Sequence, residues 1–216
     1  MIIAIDGPSG SGKSTLGRML ARALKLLYID TGSMYRAVAL AIIEANIDPS
    51  DKEAVATLAN ELDIDLAGDP DSLEVWLNGR DVTDQIRTES VTEMSSIVSS
   101  IPAVRRAMVK RQRALGKRGA VLNGRDIGTV VFPDADFKFF LTANPNERAE
   151  RRYKEDEATS NSTLAETLAD ITERDRRDST RADSPLKAAD DAVIVDSTGK
   201  CIDEVFREMM ERVSHR

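Results

Sequence analysis

The stretch that most constrains the fold is residues 7–15, which read GPSGSGKST and complete the pattern G-x-x-x-x-G-K-[ST]. It directly follows an apolar run at residues 2–5 that has the composition of a buried strand. Three glycines let consecutive backbone N–H groups turn toward one anion, and a helix starting there directs its positive end at the same point. We therefore predict a phosphate-binding loop after the first strand of an α/β fold. The alternative is a glycine-rich turn that only joins two elements.

Two side chains of this loop carry the predicted chemistry. Lys13 places a positive charge near the β and γ phosphates of a nucleotide, and Ser14 offers its hydroxyl to Mg²⁺. We therefore expect Lys13 to be catalytic and Ser14 to be a metal ligand. The residues predicted to bind ATP are Gly7, Pro8, Ser9, Gly10, Ser11, Gly12, Lys13, Ser14 and Thr15.

Apolar strand-like runs alternate with segments of helical period along the chain. The alternation predicts a parallel sheet of five strands with helices on both faces, a three-layer architecture. The predicted strands are 2–5, 26–29, 120–122, 137–141 and 192–195, and the predicted helices are 13–24, 34–45, 51–62, 91–99, 104–115, 146–157, 164–181 and 202–213. Residues 63–87 change to an alternating pattern with turn signals, which predicts a small antiparallel insert, either functional or only an ornamental hairpin.

Composition limits the class of function. A length of 216 residues suits one main domain, and a net charge of −7 disfavours nucleic acid as a partner. The 21 arginines outnumber the 9 lysines, which suits compact anionic ligands. Cys201 and His215 are the only residues of their types, so an intramolecular disulfide, a cysteine zinc site and histidine catalysis are disfavoured. Without a basic start or an apolar run of about 20 residues, we expect a cytoplasmic enzyme with no membrane partner.

Four segments are candidates for a second, acceptor site, of which the fourth, Ser96 with Arg105 around a helix break predicted at Pro102, has little meaning without a family comparison. Arg36 follows the second strand, and Arg125 with Asp126 follows the predicted strand at 120–122, so both lie at the sheet edge where ligands of such folds bind. A surface cation and a polar turn are the respective alternatives. In the third segment, Arg174, Arg177, Asp178 and Arg181 have the spacing of one helix stripe, although a run of charges is also typical of a solvated helix face.

With these segments assembled, the chain resembles the bacterial cytidylate kinases over essentially its whole length. The matching strings are residues 5–10, 30–36, 86–87, 124–135 and 173–181, with Ser96 and Arg105 between them. The resemblance implies a P-loop nucleoside monophosphate kinase that transfers the γ-phosphate of ATP to CMP or dCMP, requires Mg²⁺ and is a monomer. It places the core at 1–62, 88–150 and 182–216, a monophosphate-binding insert at 63–87 with the adjoining helix 88–100, and a short lid at 151–165.

The family also implies roles for single residues. Ser96, Arg105 and Asp126 match the residues that recognise cytosine, and Thr31 and Tyr35 should line the same pocket. Arg36, Arg125 and Arg181 match those that hold the acceptor phosphate and are expected to be catalytic, Arg174 and Asp178 match those that bind the sugar, and Arg151 and Arg152 fall in the lid.

One position departs from the family pattern, because Asn123 stands where many relatives have Asp. The change either alters the metal environment or leaves Asn123 as a support of the turn. Three rival functions remain at this point. They are a kinase of UMP, AMP or shikimate, a nucleotide-dependent switch, and a nucleic-acid-processing ATPase.

Overall fold

The computed structural model describes residues 1–156 and 162–214 of the chain. A five-stranded parallel sheet lies at its centre with the strand order β2-β6-β1-β7-β8. The described residues contain eight strands, which are β1 (Ile2–Asp6), β2 (Leu27–Asp30), β3 (Ile64–Ala67), β4 (Glu74–Leu77), β5 (Arg80–Asp81), β6 (Ala120–Gly124), β7 (Phe137–Thr142) and β8 (Val193–Asp196). The five predicted strands of the sheet are thus confirmed.

The register of β1, β6 and β2 places polar residues side by side at the carboxyl edge of the sheet. Asp6 at the end of β1 pairs with Gly124 of β6, and Asn123 of β6 pairs with Asp30 at the end of β2. Because the strands are parallel, these residues lie together at the carboxyl edge, where ligands bind in open α/β sheets. The phosphate-binding loop leaves the same edge after Asp6.

Helices cover both faces of the sheet. The α-helices are α1 (Lys13–Leu24), α2 (Thr31–Glu44), α3 (Lys52–Glu61), α4 (Glu89–Val98), α5 (Pro102–Gly116), α6 (Pro145–Asp156), α7 (Leu164–Thr180) and α8 (Ile202–Ser214). Buried side chains of α1 and α8 pack on one face, where Ile3 and Ile5 point, and those of α2 and α5 pack on the other, where Ala4 points. The alternation along β1 therefore produces three layers.

Strands β3, β4 and β5 form the small antiparallel sheet predicted for residues 63–87. Asn78 and Gly79 make the two-residue connection between β4 and β5. The insert shares one apolar core with the central sheet, since its Val75 and Leu77 belong to the same buried cluster as Ile29 and Leu122. Helix α2 bridges the two sheets, which explains why nine of its 14 residues are buried.

Several predicted helix ends are wrong by a few residues. Helix α2 begins at Thr31 rather than 34, because the Asp30 side chain accepts a hydrogen bond from the backbone N–H of Gly32 and caps it. Helix α4 begins at Glu89 rather than 91, and α5 begins at Pro102, a residue favoured in a first turn. Helix α7 begins at Leu164 as predicted, and Thr163 and Glu166 form a capping box there.

Two predictions concern residues beyond those described. Residues 157–161, within the predicted lid and at the end of the predicted helix 146–157, and His215 lie outside the described ranges. None of the helices in the described ranges is both long and apolar enough to cross a membrane.

Candidate active site

The phosphate-binding loop is shaped by glycines at which no side chain fits. Gly7 has φ +147° and Gly10 has φ +71°, both in the region that L-residues rarely adopt. A Cβ atom at Gly7 would lie 2.1 Å from the carbonyl oxygen of Leu141, and one at Gly10 would lie 2.6 Å from that of Arg148. The loop therefore packs closely on β7 and α6, and only glycine permits that approach.

Lys13, the first residue of α1, is buried beneath the loop. Its Nζ donates to the carbonyl oxygen of Pro8 and lies 3.4 Å from Oγ of Ser11, both within the loop. Burial lowers the pKa of Lys13 well below its usual value, and the positive charges of Arg125 and Arg174 lower it further. An anion in the loop would oppose all three effects, so the site favours a phosphate electrostatically.

The loop opens into a cleft of about 540 Å³ along the carboxyl edge of the sheet. A second cavity of about 670 Å³ adjoins it between α4 and α7, and Ser9, Arg152 and Arg174 line both. Most of the residues predicted from the sequence meet in the cleft. Its lining includes Ser9, Gly10, Gly12, Lys13, Ser14, Thr15, Thr31, Tyr35, Arg36, Arg105, Arg125, Asp126, Arg152, Arg174, Asp178 and Arg181.

Two cleft arginines have hydrogen-bonding capacity left over. Arg36 donates from Nη2 to Ser33 Oγ at 2.8 Å and to Asp30 at 3.3 Å, yet its buried Nε has no partner among the described residues. Arg181 donates from Nε to the carbonyl oxygen of Ser184, while its buried Nη2 likewise lacks a partner in the described structure. Unpaired buried donors cost free energy unless a ligand accepts from them. These guanidinium groups are thus suited to a phosphate.

Helix α7 contributes a carboxylate among several positive charges. Burial alone would raise the pKa of Asp178, but the attraction of Arg125 and Arg181 lowers it, so the carboxylate is ionised. Burial lowers the pKa of Arg174 to about 10, with a further contribution from the charge of Arg125. Mutual repulsion between these guanidinium groups would be relieved by a bound anion.

The far end of the cleft contains a buried ion pair. Arg105 of α5 donates to Asp126, with 2% and 7% of the two side chains exposed, and it also donates to the carbonyl oxygen of Ser99 at 3.1 Å. Its guanidinium lies 5.6 Å from the centre of the Tyr35 ring, within cation–π range. The Nε of Arg105 has no partner among the described residues. The pair thus offers a carboxylate acceptor beside a free N–H donor.

Ser14 and Asn123 make a contact that fits a hydrated magnesium ion. The amide nitrogen of Asn123 donates to Ser14 Oγ at 3.1 Å, and its Oδ1 is buried with no partner among the described residues. Both oxygens are hard donors, the kind that Mg²⁺ and its bound waters prefer. Within the described ranges, no cluster of three or more His, Cys, Asp or Glu side chains is arranged to hold a metal. The residues present fit an ion that is held chiefly by nucleotide phosphates and waters.

Two residues singled out in the sequence line the second cavity and not the cleft. Ser96 lines the second cavity, whereas Ser95 and Ser99 line the cleft with Arg105. Arg177 also faces the second cavity, so Arg174, Asp178 and Arg181 share the cleft without it. Which side chains face the cleft depends on how α4 and α7 are rotated, which spacing alone does not define.

Arg151 does not face the cleft with its neighbour Arg152. It donates to the side-chain and backbone oxygens of Ser197 at 2.9 and 2.8 Å, which ties α6 to the end of β8. Arg152 alone of the two predicted lid arginines lines the cleft.

Asp6 and Asp30 were not predicted as site residues. Asp6 accepts hydrogen bonds at 2.8 Å from the backbone N–H groups of Ile127 and Gly128, just after Asp126. Burial raises the pKa of Asp6 to about 6, despite these hydrogen bonds. Asp30 caps α2 and contacts Arg36. Asp6 and Asp30 each directly follow a predicted strand, at 2–5 and 26–29, and this position at the carboxyl edge of the sheet was the available signal for both.

The sheet, the loop and the arginine-lined cleft are together typical of a P-loop phosphotransferase. A solved structure of an uncharacterized protein from Eubacterium ventriosum shares the fold, with a TM-score of 0.57 and 12% identity over 100% of this chain and 99% of that one.

Sequence comparison identifies the family within that class. The family model "Cytidylate kinase" matches residues 3–215. The cytidylate kinase of Geobacter sp. (strain M21) is 50% identical over 98% of this chain and 91% of its own, and that of Halalkalibacterium halodurans is 46% identical over 100% and 98%. The chain belongs to the cytidylate kinase family, and it is a nucleoside monophosphate kinase.

Proposed function

We propose that the protein transfers the γ-phosphate of ATP to CMP and dCMP, giving ADP with CDP or dCDP. The observation that carries the proposal is the continuous cleft that joins the buried Lys13 to Arg36, Arg125 and Arg181, and then to the Arg105–Asp126 pair. A donor phosphate, an acceptor phosphate and a base would occupy these three regions in that order. Phosphoryl transfer between two bound nucleotides requires this arrangement.

The arginines act by positioning and by charge stabilisation. Negative charge spreads over the transferring phosphoryl group, and Lys13 together with Arg36, Arg125 and Arg181 lies around the region where it develops. Arg174 and Asp178 are proposed to bind the sugar. In the described part of the cleft no histidine is present, and none is needed, since this chemistry depends little on proton transfer by the protein.

Base selection follows from the donor and acceptor pattern of the ion pair. Cytosine presents an amine donor at its 4-position and acceptors at N3 and O2, which complement the carboxylate of Asp126 and the free Nε of Arg105. Uracil presents an oxygen at the 4-position and would face the carboxylate with a repulsive contact. Ser96 is proposed to join this recognition only if α4 rotates or moves toward the cleft, while Thr31 and Tyr35 line the pocket.

Mg²⁺ is proposed as the required ion, held with ATP by Ser14 and flanked by Asn123. When bound it neutralises charge on the phosphates. The loop residues Gly7 to Thr15 are proposed to surround the nucleotide phosphates with their backbone N–H groups, except Pro8, which has no N–H and offers only its carbonyl oxygen to the loop. Ser11 already donates its hydroxyl to the carbonyl oxygen of Pro8 at 3.0 Å, which holds the loop in shape.

We further propose one domain over 1–216 whose insert at 63–87, with 88–100, and lid at 151–165 close over the nucleotides. Support comes from the second cavity, which separates α4 on the insert side from α6 and α7 on the lid side. The protein is proposed to act as a cytoplasmic monomer with nucleotides as its only partners and no nucleic acid. The net charge of −7 supports the last point.

Identification of the products tests the proposal. The protein is incubated with ATP, Mg²⁺ and either CMP or dCMP, and phosphorus NMR follows the new diphosphate. We expect CDP or dCDP to form in equal amounts with ADP, and a Lys13→Met variant to form neither. Release of inorganic phosphate in place of a nucleoside diphosphate would show hydrolysis and overturn the proposal.

A further inference from the structure

We propose that Arg148 and Asp175 are positioning residues that hold the backbone of Ser9 in the phosphate-binding loop and link it to helix α7, which carries acceptor-site residues. The inference rests on the proposed function and goes beyond it, because neither residue lines the cleft. It concerns how the donor loop and the acceptor residues are kept in one geometry.

Both polar groups of the Ser9 backbone are engaged by this pair. The N–H of Ser9 donates to Oδ1 of Asp175 at 3.2 Å, and the carbonyl oxygen of Ser9 accepts from Nη1 of Arg148 at 2.9 Å. Arg148 also donates to Oδ2 of Asp175 at 2.5 Å. Ser9, Arg148 and Asp175 are thus joined in one closed hydrogen-bond network. The N–H and the carbonyl group of Ser9 are therefore oriented by side chains from two different helices.

The side chains of Arg148 and Asp175 are largely shielded from water, which strengthens their contacts. Only 8% of the Arg148 side chain and 18% of the Asp175 side chain are exposed. Arg148 is anchored further by a bond from Nε to the carbonyl oxygen of Ala143 at 3.2 Å. Since charged hydrogen bonds shielded from water are strong and geometrically demanding, the pair has little freedom to follow a shifted loop.

Ser9 is located where a displacement would affect both substrates. It lies in the loop that surrounds the donor phosphates and lines both the cleft and the second cavity. On α7, Asp175 lies directly after Arg174 and three residues before Asp178, and both of those line the cleft. One turn of helix thus connects the loop peptide to residues proposed to bind the acceptor sugar.

Electrostatic interactions in the loop support the same role for Arg148 and Asp175. Asp175 raises the pKa of the buried Lys13, opposing the larger lowering by burial and by nearby arginines. The pair therefore fixes the loop backbone and supports the charged form of its lysine. A displacement of about 1 Å in such a geometry reduces turnover by roughly 100-fold.

The test removes the charges of the pair with polar substitutions. Asp175→Asn removes one charge, and the double variant Arg148→Gln with Asp175→Asn removes both, so no unpaired charge is left buried. Arg176→Gln is the matched control, because it breaks an ion pair with Glu173 on the exposed face of the same helix, where 64% and 48% of the side chains are exposed. The measurements are kcat and KM for both substrates, ATP affinity by calorimetry, and Tm.

We expect kcat to fall roughly 10- to 100-fold in Asp175→Asn and in the double variant, with KM for CMP changed by less than about threefold. Arg148→Lys, which keeps one N–H donor and the charge, should recover part of the rate relative to Arg148→Gln. ATP affinity should fall about fivefold or more in Asp175→Asn while Tm stays within a few degrees of the unchanged protein.

Turnover and ATP affinity within about twofold of the Arg176→Gln control would overturn the proposed positioning role. A fall in Tm that accounts for all lost activity, with normal ATP affinity in the folded fraction, would also overturn it. If the unchanged protein phosphorylates neither CMP nor dCMP, the proposed function fails, and ATP affinity alone then decides the role of the pair.

Discussion

Asp178 Oδ2 accepts a hydrogen bond from Nε of Arg125 at 2.8 Å, so the residue after β6 is fixed to the acceptor face of α7. The other carboxylate oxygen, Oδ1, lies 3.4 Å from Nη1 of Arg181. One carboxylate therefore orients two guanidinium groups without neutralising both. The remaining positive charge is available to a phosphate, which is the basis of the predictions on catalysis.

Arg181→Ala should reduce kcat much more than it reduces ATP affinity. Arg181 directly follows α7, outside the phosphate-binding loop, and its free Nη2 is suited to an oxygen of the acceptor or transferring phosphate. Loss of one such donor lowers turnover by about 100-fold or more. Steady-state kinetics will compare the loss of kcat with the loss of ATP affinity, and Arg207→Ala on the exposed face of α8 is the control. Unchanged turnover in Arg181→Ala would remove Arg181 from the active site.

Asp126→Asn should weaken the preference for CMP over UMP. The amide that replaces one carboxylate oxygen can donate to the 4-oxygen of uracil, and it no longer repels that oxygen. We expect the ratio of kcat/KM for the two substrates to fall by about 10- to 100-fold.

Asp191→Asn is the control for Asp126→Asn. It removes the exposed partner of Lys138, at a site that does not line the cleft. An Asp126→Asn variant with the same base preference as this control would show that the ion pair serves only to fold the pocket.

Asn123→Asp should lower the Mg²⁺ concentration needed for half-maximal activity. The buried, unpartnered Oδ1 lies beside Ser14, and a carboxylate there adds attraction for the ion or its waters. Titration of activity with Mg²⁺ will show a shift of about threefold or more. Asn78→Asp adds the same charge at the exposed turn of the insert and should leave the Mg²⁺ dependence unchanged. Equal dependence in both variants would mean that Asn123 only supports the turn.

The buried carboxyl of Asp6 should make stability decrease with pH between about 4 and 6. Its pKa is 3.8 in the unfolded reference and about 6 in the folded protein, so the folded state binds the proton more tightly. The contribution to the free energy of unfolding is therefore greatest below pH 4 and falls, by on the order of 3 kcal/mol, as pH rises through 6.

Urea unfolding of the unchanged protein and of Asp6→Asn across this range isolates the Asp6 contribution from that of other carboxyls. The difference between the two curves should decrease from about pH 4 to 6 and then become constant. A pH-independent difference for Asp6→Asn would contradict the assignment.

The sequence defined the parts of the fold whose signals are local. The strand β1, the phosphate-binding loop and the start of α1 at Lys13 are contiguous, and the predicted boundaries of α1 agree with the structure. The antiparallel insert at 63–87, which contains the Asn78-Gly79 turn, was predicted for the same reason. Short-range rules of capping, turn formation and hydrophobic period are sufficient for such features.

Parts of the site depend on tertiary packing and could not be predicted locally. Which serine of α4 faces Arg105 depends on the rotation of the helix, since neighbouring residues differ by about 100°. The contacts of Ser9 with Arg148 and Asp175 join positions 139 and 166 residues apart in sequence, and no local pattern indicates them. The same applies to Arg151, whose spacing beside Arg152 gave no sign that it binds Ser197.

The central claim is that one cleft accepts ATP and selects cytosine nucleotides by the Arg105–Asp126 pair. The most direct measurement is a coupled assay of ADP release with ATP and Mg²⁺, run with CMP, dCMP, UMP, AMP, shikimate and no acceptor. Turnover that strongly favours CMP and dCMP is the result predicted here. Equal turnover with UMP would contradict the base recognition assigned to Asp126, and ADP release at the same rate without an acceptor would contradict the kinase activity itself.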